Sequence, residues 1–526
     1  MIINNSPSIF NDVIGPVMRG PSSSHTAAAH RIGSVIKQLV DPGFERVTVS
    51  FDRSGSLPTT YLGQGSAMGL AGGLVGIKVT DPEIINYEKH LENSNFTIEY
   101  KNTDLECKHP NAYQIKIEYP DGEYFQILSV STGGGMFEII ELNGFKVSIK
   151  GDFFENLSIY KEITEKEQNI IEQLIEENYS ECRFQSVKGE NGKFLINIKS
   201  GSLLKPFPDK LSEYKKNMIW SGETAPVLPV TSGFEKKTPF RTVKEMLLIA
   251  KKENLSLSDL AIRYESGRSG LNTESILNKM EEIVIIIRDS IKEGLAGTSY
   301  GDRILGSQST LIEKAEKKGL ITGSVNNRII ANTSALMEVK SSMGLIVATP
   351  TAGSCGVLGG ALFGSLEKPD FDMKIMVKGF LAAGLAGVFI ADKYTFSAEE
   401  GGCQVETGSG AAMAAAGLVD INGGTAWQAI SAASMALQNQ LGQICDPVAV
   451  RVEVPCLGKN ILAATNALNS AIMALAGYDP VIPYDEVIDA MRSVGESLPS
   501  ILCCTGLGGL AQTPTGKRLN EQFNSK

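Results

Sequence analysis

Histidine is scarce in this 526-residue chain: there are four, and none lies beyond His109. Cysteine is distributed the other way. Six of the eight (Cys355, Cys403, Cys445, Cys456, Cys503 and Cys504) fall in the last third. The separation excludes a local CxxC…HxxxH zinc site or an HExxH helix, so joint His/Cys chemistry has to bring distant parts of the chain together. Basic charge is also short, with 49 Lys and Arg against 59 Asp and Glu and a net charge of -10. An acidic chain without a basic block argues against nucleic acid or an anionic membrane as partner. The longest apolar stretch, Gly379 to Asp392, is about 13 residues, too short to cross a bilayer. The opening MIINNSPSIFNDVIGPV lacks the basic-then-apolar pattern of a secretory signal. A cytoplasmic location is therefore expected, with reduced thiols that are either buried side chains or ligands to a metal or cluster.

What is present is length and glycine. A chain of this size predicts two to four domains. Its 54 glycines, without a collagen-like period, point to close helix packing and pockets built from backbone. Residues 44–80 predict a strand (FERVTVSFD), a Gly/Ser turn and a small-residue helix around Ser66–Leu74. Strands follow at 112–118 and 124–130, and then the turn Ser131-Thr132-Gly133-Gly134-Gly135. From about 145 to 230 the order is β (FKVSIK), α (EKEQNIIEQLIEEN), β (CRFQSVK), β (FLINIKS), α (DKLSEYKKNM), β (APVLPV). That βαββαβ order is ferredoxin-like, as in ACT regulatory domains. It stands either as a structural spacer or dimer element, or as an effector site whose glycine signature is missing. Residues 231–242 are a polar linker. Beyond them Thr242–Glu253 and Asn278–Glu293 carry helical spacing, and the Ala/Gly/Ser-rich stretches after 324 predict tightly packed helices. The expected fold is thus α+β and multidomain: an α/β substrate domain over 1–144, a ferredoxin-like domain over 145–230, a linker over 231–242 and an all-helical domain over 243–526.

Cys403, Cys445 and Cys456 lie 42 and 11 residues apart, each in a Gly- or Pro-marked turn: GGCQVET, ICDPV and VEVPCLGKN. By composition three buried thiols would be structural. Turns, however, expose N–H groups that can hydrogen-bond cluster sulfurs, and three such cysteines suit an iron–sulfur cluster with one iron left open. Gly20-Pro21-Ser22-Ser23-Ser24-His25-Thr26 precedes an alanine-rich helix; hydroxyls and free N–H groups at a helix start form either a carboxylate site or an ordinary cap. The Gly133–Gly135 turn is either a second anion nest or a loose connection. His30, five positions beyond His25, reads as structural. Gly506-Leu507-Gly508-Gly509-Leu510-Ala511 fits a dinucleotide loop only loosely, and Gly516-Lys517 lacks the spacing of a P-loop.

Taken together, the fragments GPSSSHT, CKHPNAYQI, STGGG, ATPTAGSCG, GGCQVETGSGAAMAAAGL, CDPVAVRVEVPCLGKN and GGLAQTPT resemble the iron–sulfur-dependent L-serine dehydratases. The resemblance runs from about residue 10 to 517, with the family's β and α parts fused in order. It implies a 4Fe–4S cluster on Cys403, Cys445 and Cys456, with Cys355 lining the site. The substrate carboxylate would rest on Ser22, Ser23, Ser24, Thr26 and the turn Gly133, Gly134, Gly135. His25 is the first candidate for proton handling and His109 the second. The open iron would act as Lewis acid for departure of the serine hydroxyl, and the aminoacrylate so formed would hydrolyse to pyruvate and ammonia. Where many relatives carry GHGTD, this chain has Gly63-Gln64-Gly65-Ser66-Ala67, so the histidine often proposed as base is replaced by Gln64. The chain ends NEQFNSK, and no tail cysteine is expected at the open iron. Expected partners are a small amino acid and a second copy of the chain, as a homodimer. The alternatives are a lyase acting on another β-substituted amino acid, such as L-cysteine or L-threonine, and a non-enzymatic cluster-bearing sensor.

Overall fold

The computed structural model describes residues 6–107, 109–161, 163–178, 182–190, 192–203, 213–232, 237–366 and 372–524. After the short strand β1 (Val17–Met18), six strands form the first sheet: β2 (Arg46–Asp52), β3 (Thr97–Thr103), β4 (Ala112–Glu118), β5 (Tyr124–Gly133), β6 (Met136–Leu142) and β7 (Phe145–Ile149). Their order is β3-β2-β4-β5-β6-β7, parallel between β2 and β3 and antiparallel elsewhere. Alternation along β2 and β4 turns Val47, Val49, Phe51, Tyr113, Ile115 and Ile117 to one core. The helix Ala28–Leu39 lays Ile32, Val35, Ile36 and Leu39 on that core.

The second sheet contains β8 (Phe154–Tyr160), β9 (Cys182–Lys188), β10 (Phe194–Ser200) and β11 (Met218–Thr224), in the order β11-β8-β10-β9 with antiparallel neighbours. This is a ferredoxin-like order, but its outer members differ from the expected ones. FKVSI closes the first sheet as β7, joined to β6 by the left-handed pair Asn143 (φ 47°) and Gly144 (φ 83°), so the expected boundary at 144 falls inside a hairpin. The first strand of the second sheet is instead FENLSIY. It is buried on both faces, so it lacks the alternation that marks a half-exposed strand. The last strand is MIWSGET, not APVLPV. Of the expected second helix, residues 209–212 lie outside the described residues, and Glu213–Asn217 forms a short 3₁₀ turn.

The helical part follows its local signals. Thr242 caps the helix Val243–Glu253, its hydroxyl accepting from Glu245 N–H at 3.2 Å while the Glu245 side chain returns to the cap. The expected helix at 278–293 is the middle of Thr273–Ala296. Met373–Lys393, at 21 residues, is longer than its apolar run and long and apolar enough to cross a membrane by length and composition; 78% of that apolar window is buried inside the protein. At the centre is Thr407–Ile421, buried on every side from Thr407 to Val419 because its residues are nearly all small.

The first described residues do not stay with the first sheet. Ile9, Phe10, Val13 and Ile14 enter the helical core, and β1 pairs antiparallel with β12 (Ile346–Val347). Buried Glu265 accepts from Ser8 Oγ and from Ile9 N–H, both at 2.9 Å, while Tyr264 donates to Pro7 O at 2.9 Å and Arg268 Nε to Ser6 O at 2.7 Å. Residues 6–18 are thus part of the helical body, although the sequence assigns them to a 1–144 domain. Removing a buried acceptor leaves its donors unpaired, so Glu265→Ala should destabilise the protein by about 3 kcal/mol and Glu265→Gln by less. Chemical denaturation followed by circular dichroism measures both.

Candidate active site

The segment Ser22–Ala27 forms a wide turn that runs directly into the helix Ala28–Leu39, and every residue from Ser22 to Ala27 is buried. Its position depends on close backbone contact with the helix Ser66–Val75: a Cβ on Gly69 would lie 2.1 Å from Thr26 O, and one on Gly73 2.2 Å from His30 O. His25 Nε2 lies 2.8 Å from Thr60 Oγ1, whose own proton goes to Ser56 O at 2.8 Å. Nε2 is therefore the donor, which leaves Nδ1 of the neutral ring as acceptor. Around Nδ1 stand Ser22 Oγ and Ser24 Oγ, each at 3.1 Å, and Glu399 Oε1 at 3.4 Å. Ser24 also donates to Glu399 Oε1 at 2.9 Å, and Ser397 to Glu399 Oε2 at 2.7 Å.

His109 is tied differently. Its Nδ1 accepts from Asn111 N–H at 3.1 Å, so in the neutral ring Nε2 holds the proton and faces Glu400 Oε1 at 3.9 Å. It lines a cavity of about 300 Å³ together with Thr132, Gly133, Tyr394 and Glu400. His30, as expected, is structural, bonded through Nε2 to Ile77 O at 2.7 Å.

The sulfurs gather at the other side of the seam. Cys403 Sγ, Cys445 Sγ and a Glu406 carboxylate oxygen lie within 4.8 Å of one another, with both cysteines buried. Lys459 Nζ approaches Cys403 Sγ at 3.6 Å and pairs with Asp446 at 3.1 Å. A hydrogen bond from Cys445 and the Lys459 charge hold the Cys403 thiol below its ordinary pKa. Burial opposes charge on Lys459, but Cys403, Cys445 and Asp446 outweigh it and keep the ammonium protonated. Burial, together with the neighbouring Cys403 charge, raises Glu406 to about 8; Thr351 Oγ1 donates to it at 2.7 Å. Cys456 opens the helix Cys456–Leu475 and Cys403 opens the turn leading into Thr407–Ile421, places where unpaired N–H groups favour negative sulfur. Three buried thiols, a neighbouring ammonium and two helix starts fit an iron–sulfur group chemically.

The expected residues are not all equivalent in place. Cys456 feels the charge of Cys403 but packs with Met18, Ala27, Met337 and Cys355 in an apolar cluster. Cys355 itself meets Met337 Sδ at 3.9 Å, and burial pushes its thiol up to about 11. Ser23 Oγ accepts from Ala352 N–H at 3.1 Å, and Thr26 donates to Gln64 O at 2.9 Å, so both hydroxyls already have partners. Gly133, at φ 94°, lets β5 press on the loop before Glu399: a Cβ there would be 2.7 Å from Ser397 N. Gly134 packs near Pro350 O, and Gly135 O accepts from Arg31 at 2.6 Å. Glu399, Thr60, Glu406, Lys459 and Cys504 went unnamed as site residues in the sequence. Glu406 and Lys459 sit inside the quoted fragments GGCQVET and VPCLGKN, where the nearness of a charge to a cysteine was the available signal.

Burial lowers the pKa of His25 and Glu399 opposes that shift. The unfolded chain therefore binds this proton at higher pH than the native one, and the contribution of His25 to stability falls as pH drops below about 6.5. Glu399→Gln removes the opposing charge, so the midpoint of the His25 ring in an NMR titration should move to lower pH. A midpoint that stays or rises would contradict the pairing.

The family described as serine dehydratase alpha chain matches residues 155–511. A probable L-serine dehydratase alpha chain of Bacillus subtilis is 39% identical over 285 residues, covering 54% of this chain and 95% of that one. The L-serine dehydratase alpha chain of Peptoniphilus asaccharolyticus is 37% identical over 284 residues, 54% of this chain and 97% of its own. A probable L-serine dehydratase beta chain of Bacillus subtilis is 42% identical over 145 residues, 28% of this chain and 64% of that one. With an alpha-type part over two thirds of its length and a beta-like part in the same polypeptide, the chain belongs to the serine dehydratase family.

Proposed function

We propose that the protein dehydrates L-serine to pyruvate and ammonia, with a 4Fe–4S group held by Cys403, Cys445 and Cys456. The observation that carries this reading is the meeting of two sets of groups at one seam. A buried imidazole and hydroxyls come from one side, and a carboxylate and buried thiols beside a lysine come from the other. When bound, the group supplies Lewis-acid assistance to departure of the β-hydroxyl. His25 Nδ1 is the acceptor suited to the α-proton, because Thr60 holds Nε2 as donor and Glu399 faces the imidazolium that results. His109 Nε2 is turned the other way, as a donor at the wall of the 300 Å³ cavity. Gln64 cannot take a proton. It is fully buried, and its Oε1 has no hydrogen-bond partner among the described residues, which leaves an acceptor for the substrate ammonium. The Ser22 and Ser23 hydroxyls and the Gly133–Gly135 backbone are the groups suited to hold the carboxylate, since the Ser24 proton is given to Glu399.

The fit of the amino-acid side chain decides the substrate, and Gln64 in place of histidine is the reason to assay L-cysteine and L-threonine beside L-serine. Protein purified anaerobically should contain iron and sulfide and release pyruvate from L-serine. Cys445→Ser should lose iron and activity together, with activity down about 100-fold or more. An iron-free protein equally active in air would overturn the reading, and clear preference for L-cysteine or L-threonine would overturn the substrate.

A further inference from the structure

A larger cavity, of about 720 Å³, stands apart from the seam, and none of the groups assigned to the reaction lines it. Its wall is drawn from three parts of the chain. Ile14 and Val17 come from the segment around β1, Leu228 from the stretch after β11, and Ile283 and Ile286 from the helix Thr273–Ala296. The volume is that of a small-molecule site, and most of the lining residues are apolar.

The chain is acidic overall, yet this cavity is positive. Arg31, Lys78 and Lys279 line it against a single carboxylate, Glu282. Among the described residues none of these four forms an ion pair. His30, in the same wall, adds no charge at neutral pH, because burial lowers its pKa. Lys279 Nζ donates to Pro229 O at 3.3 Å, and Lys78 is exposed at the rim. Arg31 is the innermost cation, only 6% exposed. Its Nη1 donates to Gly135 O at 2.6 Å and meets Met136 Sδ at 3.5 Å, both uncharged partners. Its Nε and Nη2 donate to nothing among the described residues. Burial lowers the Arg31 pKa to about 10, with the charge of Asp12 opposing. A guanidinium so deep, with half of its planar fork unused, is shaped to take a carboxylate.

We propose that this cavity binds a small monocarboxylate with an apolar chain of about four to six carbons, its anionic end on Arg31 and its chain on the apolar wall. Lys78 and Lys279 draw the anion in. A single charge suits the site better than a phosphate, since the wall offers few further donors and Glu282 adds a negative charge. Arg31 also links the cavity to the reaction. The same guanidinium holds Gly135 O, at the end of the turn assigned to the substrate carboxylate. An anion that shares it loosens that turn and cancels a positive charge behind it. The ligand therefore opposes L-serine, and L-serine opposes the ligand to the same extent. This coupling rests on the function proposed above; the binding itself does not.

The test is calorimetric titration of the full-length protein with 4-methylpentanoate, beside acetate, 4-methylpentan-1-ol and inorganic phosphate. The expected result is one site per chain, saturated below about 10 mM, with each of the other three bound at least about tenfold more weakly. Lys78→Glu combined with Lys279→Glu should weaken binding about tenfold and leave the circular dichroism spectrum unchanged. No saturation, or equal binding by the double variant, would overturn the site. Any of the three comparison compounds bound as tightly would overturn the ligand class. In the anaerobically purified enzyme, 4-methylpentanoate should raise KM for L-serine about fivefold and leave kcat unchanged. An unchanged KM would overturn the coupling alone. A protein that releases no pyruvate would overturn the proposed reaction, while calorimetry still decides the cavity.

Discussion

Ser24 and Glu399 are 375 residues apart in the chain, and the 2.9 Å hydrogen bond between them is the contact on which the site depends. A carboxylate taken out of water costs several kcal/mol unless its oxygens are paired. The oxygens of Glu399 are paired by Ser24 from the first part and by Ser397 from its own loop. Only the docked arrangement satisfies it, and the same docking brings His25 Nδ1 to 3.4 Å from the carboxylate. The seam is reinforced where Ser23 meets Ala352 N–H and where Gln64 meets Cys504. Proton-handling groups and sulfurs are therefore assembled by one event rather than by two.

Charge is balanced locally on the sulfur side. Lys459 joins three acceptors at once: Cys403 Sγ, Ile444 O at 2.6 Å and Asp446. That draws the residues flanking Cys445 toward Cys403 and places positive charge where thiolates would form. Lys340, fully buried, donates to Val452 O, and its charge partly opposes the upward push of burial on the thiols of Cys355 and Cys456. Asn460 then ties the helix starting at Cys456 to the loop before Cys355, donating to Gly353 O at 2.7 Å and accepting from Gly356 N–H at 3.2 Å. The apolar surroundings of Cys355 and Cys456 and the polar surroundings of Cys403 and Cys445 are two halves of one wall.

Local grammar made much of this legible. The capping box at Thr242, the alternation of β4, the hydroxyl turn before Ala28 and the small-residue helices are all short-range patterns, and each appears where its pattern lies. What escaped is what burial on both faces or long separation erases. FENLSIY has no alternation because its two faces are both covered. One face of that sheet sends Leu157, Ile159 and Leu195 to the first core, and the other packs Tyr160, Phe194, Ile196 and Ile198 against the helix Glu165–Asn178. Glu399 and Cys504 carry no local mark at all; Glu399 meets Ser24 and Cys504 meets Gln64 across hundreds of residues of chain. His25 and His109 both stand at the seam, yet sequence could not say which ring nitrogen each leaves free, since Thr60 and Asn111 decide that.

The Bacillus subtilis relatives divide the alpha and beta chains between separate names, whereas here both parts share one polypeptide. Tethering two surfaces replaces a concentration-dependent encounter by an intramolecular one, at an effective concentration of the order of millimolar for a short connection. In this chain the tether is double. The ferredoxin-like sheet and the segment after it join the two parts in sequence, and residues 6–18 return independently into the helical core through Ile9, Phe10 and the Glu265 contacts. The wide turn bearing His25 begins four residues after β1, which is itself paired to β12 of the helical part. The histidine is thus held by a strand anchored to the sulfur-bearing body and by a helix packed on the sheet. Such a two-sided hold is what a buried imidazole needs if its free nitrogen is to meet the same carboxylate in every molecule.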